Sequence, residues 1–366
     1  MGNKILFHTF VFYVLIISNV AWAQNCQLSE ANMRRDFIFI HKNDILRTDY
    51  IPDGDSLTLY CNERTQPVDL TCSRGVLQAM PAGAACTDRL KLTVQATKKP
   101  CSASGVSGEL YDMVYKWSTG HSITLYSICY STQRETVLYS THRTYGFNLA
   151  TPIYNQRLRP TFKQLGHMNG ARVKSFEADD IYQRFNTLLG PQQTYIKSNR
   201  DFALQRGHMA NSQDFLTYDQ MDATFLYMNV VPMARGCNIR NWKHVENWIH
   251  KLPSATTYAT VLSGTHDVQY LQHSQTHRFV PIYLMAGEKN PMPMWLYKVV
   301  KYNNRCHVFV TLNDHSKNPA IRATNICQPT QCPQGISFSS DPEACISFCC
   351  DYSEFVKQVG NHAKLC

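Results

Sequence analysis

The chain has 366 residues, with 36 Lys and Arg against 27 Asp and Glu, a formal net charge of +9 and 44% apolar residues. That length builds one large domain or a medium domain with additions. The positive excess suits a polyanionic partner but is common among secreted proteins, and no repeat or low-complexity segment points to a solenoid or a disordered tail.

The amino terminus reads as an export signal. Lys4 precedes an apolar run over residues 5–20, and Ala21-Trp22-Ala23 forms a small-residue exit. This layout predicts a signal peptide over residues 1–23, cleaved after Ala23, and a secreted, extracellular product. The run is short for a membrane anchor, and no later stretch is long and apolar enough to span a bilayer, so no membrane partner is expected. All 14 cysteines follow the predicted cleavage site. An even number of cysteines in an exported chain favours a disulfide framework. Zinc is the competing explanation, but there is no C-x-x-C pair.

Residues 24–133 carry Cys26, Cys61, Cys72, Cys86, Cys101 and Cys129 among short alternating runs. DFIFIHKND (36–44) and SLTLYCN (56–62) read as strands separated by Asp, Gly and Pro turns, so a disulfide-stapled, β-rich module is expected here. Between residues 134 and 320 only Cys237 and Cys306 occur. A region that relies on its own apolar core should be the main domain. TVLYSTH (136–142), ATVLSGT (259–265), MWLYKVVKY (294–302) and CHVFVTLND (306–314) read as strands. NWKHVENWIHK (241–251) sets Trp242, Val245 and Ile249 at helical spacing. Strands and helices mixed without strict alternation predict an α+β core. Residues 321–366, with Cys327, Cys332, Cys345, Cys349, Cys350 and Cys366, read as a cysteine-rich cap.

The chemistry has to be found among 14 histidines. There is no H-E-x-x-H, no Walker loop and no G-x-S-x-G. His41, His121, His142, His167 and His315 stand alone and read as surface or core residues. His208 differs in its context. It follows Arg206-Gly207 in LQRGHMA (204–210), and downstream come Asn229, Pro232, Asn238, Trp242 and Glu246, in the spacing N-x-x-P-x5-N-x3-W-x3-E. With Asn238 at a helix start, Trp242 falls one turn on and Glu246 two turns on, about 12 Å along the axis and on one side. An asparagine oxygen is a hard, neutral ligand suited to Mg²⁺, which keeps most of its waters. A glutamate further along can hold those waters. Taken singly, the same residues would also fit a capped amphipathic helix with a solvated glutamate.

The pattern formed by Arg206-Gly207-His208, Asn229, Pro232, Asn238, Trp242 and Glu246 resembles the DNA/RNA non-specific endonucleases of the ββα-metal group. RPTF (159–162), HMANSQDF (208–215), NPMPMWLYKVV (290–300) and VTLND (310–314) are similar to secreted arthropod members. The resemblance covers roughly residues 135–314. It implies a ββα-metal core with a mixed or antiparallel sheet flanked by helices. It implies hydrolysis of DNA and RNA phosphodiester bonds to 5′-phosphate products. It casts His208 as the general base that deprotonates water, Asn238 as the direct ligand of one Mg²⁺ (or Mn²⁺), and Glu246 as the holder of its waters. Arg159 would stabilise phosphate charge, and Asn229 would hold the site together. Arg206, Arg235, Arg240 and Lys243 would contact the substrate backbone, with no sequence specificity expected.

The sequence departs from the family at four places. Gln205 stands where D-R-G-H has aspartate, Met233 where glutamine is usual, Cys237 where a larger apolar residue is usual, and Arg240 in place of a glycine. These departures keep open a second reading, a nucleic-acid-binding protein on the same fold with weak or lost catalysis. A third is a disulfide-rich adhesion or interaction protein, which leaves the histidine-to-glutamate pattern unexplained.

Overall fold

The computed structural model describes residues 25–29, 32, 36–147, 160–166, 170–254, 256–314 and 326–366. The predicted signal peptide, His167 and His315 lie outside them, and so does Arg159. Among the described residues no helix is long and apolar enough to cross a membrane.

The fold is α+β, built on a nine-stranded sheet whose ladders are all antiparallel. In spatial order its strands are Pro329–Thr330, Ser347–Cys350, Arg305–Leu312, Pro293–Tyr302, Tyr258–Val268, Thr136–Tyr145, Ser122–Ser131, Val106–Lys116 and Leu92–Ala103. The four runs read as strands between residues 134 and 320 occupy its centre. They are nearly continuous in apolar character because both faces are covered. Along Pro293–Tyr302 the side chains alternate. Trp295, Tyr297 and Val299 pack with Phe355 and Val359 of the Tyr352–Val359 helix. Val300 packs on the other face with Val245, Trp248 and Ile249 of the Asn241–Ile249 helix.

The sheet runs through the boundary expected at residue 133. Ser122–Ser131 pairs with Thr136–Tyr145, Val106–Lys116 pairs with Ser122–Ser131 and Leu92–Ala103 with Val106–Lys116, so all three belong to the central sheet and not to a separate stapled module. The cysteines of this region hid the continuity, because Cys101–Cys129 fastens two strands of the main sheet. Separate from it in this region are a five-stranded sheet spanning residues 38–77 and the two-stranded pair of Cys26–Gln27 with Tyr50–Ile51, tied by Cys26–Cys72 and Cys61–Cys86. DFIFIHKND is a hairpin, strand Ile38–His41 turning at Lys42 and Asn43, which both have positive φ, into Asp44–Ile45. The cysteine-rich tail likewise adds strands to the main sheet's other edge. Two of its cysteines reach out of the tail, to Cys237 through Cys345 and to Cys306 through Cys366. With Cys327–Cys350 and Cys332–Cys349, all 14 cysteines are paired.

Candidate active site

The histidine motif forms a strand. Leu204–His208 pairs antiparallel with Val230–Ala234, matching Leu204 to Ala234, Gln205 to Met233 and His208 to Val230. The chain then enters the short helix Arg235–Ile239 and the helix Asn241–Ile249, a ββα order. Gly207 is required by packing. A Cβ at this position would lie 2.7 Å from Met233 Cβ and 2.4 Å from Met233 Cε, so only glycine lets the buried Met233 side chain cross beneath the strand. Met233, a departure from the family pattern, is thus matched to the glycine of the motif.

Strand alternation turns Arg206 and His208 to one side, where Phe162 meets both. Its ring centroid is 5.3 Å from that of His208 and 5.5 Å from the Arg206 guanidinium carbon. Phe225 stands edge-on to His208 at 4.8 Å, and Tyr227 lies under Arg206. Arg206 also donates to Glu177 Oε1 at 2.8 Å. Phe162 closes the RPTF fragment, and Lys163 beside it pairs with Leu226 through backbone bonds to Phe225 and Tyr227. Phe162 and Lys163 are therefore anchored against the strand that carries the histidine.

Asn229 is wholly buried with its side chain fully engaged. Its Oδ1 accepts from Ala210 N at 2.9 Å, and its Nδ2 donates to the carbonyls of Ala210 and Thr224. It braces the chain just beyond His208 and has no polar atom left for substrate. That geometry suits a residue that holds the site together and does not itself touch the substrate.

Asn238 does not open the helix that carries Glu246. It lies in Arg235–Ile239, and Arg240, at φ −122° and ψ −101°, breaks the helical path before Asn241. The continuous two-turn spacing expected from the sequence is therefore interrupted. A hydrogen bond fixes the Asn238 amide, with Nδ2 donating to Gln205 Oε1 at 2.8 Å. Gln205 thus works as a neutral acceptor for the amide nitrogen, which leaves Asn238 Oδ1 outside this hydrogen bond.

Glu246 is 7% exposed, and Lys243 Nζ lies 3.6 Å from its Oε2. Burial pushes its carboxyl above the ordinary range, opposed by the charges of Lys298 and Lys243. Lys298 is fully buried in the strand Pro293–Tyr302, flanked by Tyr297 and Val299. Its Nζ donates to Ser263 Oγ at 2.8 Å and sits 4.5 Å from the Trp242 ring centroid. Lys298 was missed in the sequence, although a lone lysine in MWLYKVV was the available signal. Asp214 was missed too. It is buried and accepts from His142 Nε2 and His250 Nε2, each at 2.6 Å. Burial alone would raise its pKa, but the two histidine hydrogen bonds hold it well below the usual carboxylate range. Reading His142 as a core residue is borne out.

The expected backbone contacts divide into two groups. Arg235 is exposed, whereas Lys243 bonds to Gln213 as well as facing Glu246. Arg240 is committed to two carboxylates of the tail, Asp341 and Glu343. This contact accounts for two of the departures together. Cys237 is disulfide-bonded to Cys345, and Gly236 lies under the Glu343 carbonyl with no room for a Cβ. Asn241 adds hydrogen bonds to Ser339 and Cys345. Residues 339–345 thus form a strap on the short helix that carries Asn238.

A sequence model of the DNA/RNA non-specific endonucleases matches residues 106–360, most of the chain. The chain belongs to the DNA/RNA non-specific endonuclease family. The match takes in the strands Val106–Lys116 and Ser122–Ser131 and most of the tail, consistent with the single sheet they share. Among curated proteins, the chain is 26% identical to a salivary endonuclease of Lutzomyia longipalpis over 83% of this chain and 73% of that protein. It is 23% identical to a salivary endonuclease of Culex quinquefasciatus over 92% of this chain and 89% of that protein. A solved EndoG/EndoGI complex overlaps 56% of this chain and 75% of its own, at 16% identity and a TM-score of 0.32.

Proposed function

We propose that this family member is a secreted, Mg²⁺-dependent endonuclease that hydrolyses DNA and RNA without regard to sequence and leaves 5′-phosphates. The observation that carries the reading is the Gln205–Asn238 hydrogen bond. It presents one amide oxygen on the helix that follows the His208 hairpin. Among the described residues no three His, Cys, Asp or Glu side chains are grouped so as to hold a metal ion. The donor set therefore fits a hydrated hard cation held by one neutral oxygen and a nearby carboxylate, not a closed zinc cage. Asn238 and Glu246 would hold that ion, Mg²⁺ or Mn²⁺, which when bound supplies positive charge to stabilise the phosphate as it is attacked.

His208 does the proton chemistry. Its imidazole, clamped between Phe162 and Phe225, takes a proton from the water that attacks phosphorus. The aromatic clamp restricts the ring's orientation, and Asn229 fixes the backbone behind it. Arg206, held over Phe162 and Tyr227, takes charge on a phosphate oxygen, as would Arg159. Contacts of this kind read the backbone and not the bases. A water nucleophile needs no 2′-hydroxyl, so both nucleic acids are substrates. The seven disulfides and the relatives' salivary origin support export.

The test is digestion of plasmid DNA, duplex RNA and single strands by the purified mature protein, with Mg²⁺ or with EDTA, beside His208→Ala and Asn238→Ala. Cleavage by the wild type should require the metal. His208→Ala should lose about 10²- to 10⁴-fold in rate while still binding the substrate. Tight, salt-sensitive retention without cleavage by the wild type would leave a binding protein in place of an enzyme.

A further inference from the structure

One large aromatic side chain near the site is left uncovered. Phe202 is 68% exposed, whereas Leu204, two residues on, is buried against Ile181 and Phe185. Phe202 stands on the rim shared by two clefts. One, of about 800 Å³, is lined by Gln205, Arg206 and Phe162. The other, of about 680 Å³, is lined by Lys197, Arg200 and Arg235. A single exposed phenylalanine means little alone. Here its surroundings select what covers it.

The second cleft is cationic. Among the described residues Lys197, Arg200 and Arg235 form no ion pair, while Arg240 at its far wall is taken up by Asp341 and Glu343. Asp201 accepts a hydrogen bond from the Lys197 backbone, which pins the turn leading to Phe202. The Arg235 amide bonds to the Ala203 carbonyl at 2.7 Å, fixing the residue after Phe202 against the start of the short helix that carries Asn238. A flat apolar ring among unpaired cations matches a polyanionic strand that offers a π-face between its charges. A protein partner would have to bury those cations with carboxylates of its own. A base held inside a duplex is already covered on both faces, so only an unpaired base can lie on Phe202.

We propose that Phe202 is a stacking platform for an unpaired base next to the phosphate being hydrolysed, with Arg200 and Arg235 holding the backbone on that side. The platform rests on the nuclease reading and adds to it a preference for unpaired substrate: a single strand, or a duplex that has opened locally. Phe202 is three residues before Gln205, at most about 10 Å of extended chain. At about 3.4 Å per stacked nucleotide, the stacked base lies within about three nucleotides of the site at Asn238.

The experiment uses the full mature chain carrying His208→Ala, with Mg²⁺, a single-stranded oligonucleotide containing 2-aminopurine, and a blunt hairpin duplex. Adding Phe202→Ala should weaken single-strand binding roughly 5- to 100-fold and abolish the quenching of the 2-aminopurine. Duplex binding should change less than about twofold, and Phe202→Trp should restore both single-strand readouts. Equal single-strand affinity with and without Phe202, or equal losses on both substrates, would overturn the platform while leaving the nuclease intact. A change of oligomeric state on Phe202→Ala with unchanged oligonucleotide affinity would also overturn it, assigning the ring to a self-contact. If the wild type neither cuts nor binds any nucleic acid, the nuclease reading fails first and the platform falls with it.

Discussion

The Asn238 amide nitrogen donates to Gln205 Oε1 across 2.8 Å, tying the residue before Arg206-Gly207-His208 to the proposed metal ligand. The residue that departs most visibly from the family's D-R-G-H therefore makes a contact there: it fixes the orientation of the Asn238 amide, and so which end would face the proposed ion. Gln205→Ala should leave the fold unchanged but let the amide turn, lowering metal affinity or activity about 10- to 100-fold. Gln205→Asp keeps an acceptor for the same donor and adds negative charge beside the cation. It should lower the Mg²⁺ concentration needed for half-maximal plasmid nicking. An alanine variant with an unaltered Mg²⁺ titration would remove Gln205 from the site.

The tail strap predicts a coupling between redox state and metal binding. Cys237–Cys345 closes a sequence separation of 108 residues next to Asn238, so its loss frees both a long loop and the short helix. Replacing both cysteines by serine should cost about 2–5 kcal/mol in unfolding experiments and raise the Mg²⁺ requirement. Arg240→Ala should cost under about 1 kcal/mol, because its carboxylate partners are solvent-exposed. Loss of stability without any change in the Mg²⁺ titration would make the strap purely structural.

Lys298 and Glu246 set the acid limb of the pH profile. Burial raises the Glu246 carboxyl, and the Lys298 charge is the largest influence opposing that rise. A carboxylate that works ionised loses activity as pH falls through its pKa. Lys298→Met removes the opposing charge, so the acid limb should move towards neutral pH. Lys298→Arg restores a cation, although in a site packed for lysine. Leaving a buried carboxylate without its partner should also cost about 3–5 kcal/mol. An acid limb that stays in place in a folded Lys298→Met variant would show that another group governs it.

The sheet was readable from sequence because strands covered on both faces leave long apolar runs, as in MWLYKVVKY and CHVFVTLND. The helix at Asn241–Ile249 was readable from Trp242, Val245 and Ile249 for the same local reason. Pairing between distant segments was not. Cysteine density drew a boundary at residue 133 that the hydrogen-bonded ladders ignore. The kink at Arg240 comes from contacts with residues about 100 positions further on, which no local spacing encodes. Lys298 stood out as a charge in an apolar run, but the side chain it serves is over 50 residues upstream. Motif spacing identified the family because the ββα segment is contiguous. The groups supporting it are scattered along the chain.

Asp214 shows this scattering most clearly, with His142 lying 72 residues before it and His250 36 residues after it. Its pKa is lowered in the folded state, so its contribution to stability is fully present above the unfolded value near 3.8 and is lost as pH falls through the folded value. Asp214→Asn leaves two histidines facing a neutral amide and should cost about 3–5 kcal/mol at pH 5. Because the variant cannot lose a carboxylate it lacks, the gap between it and the wild type should narrow as pH is lowered below about 4. Urea unfolding at pH 5, 4 and 3 would follow this, below the range in which unperturbed histidines titrate. Asp214 also bears on function, since His250 lies one helical turn beyond Glu246, and Asp214 and His250 both act on the Glu246 carboxyl. A gap that stays constant from pH 5 to pH 3 would mean that the two histidines do not hold Asp214 ionised.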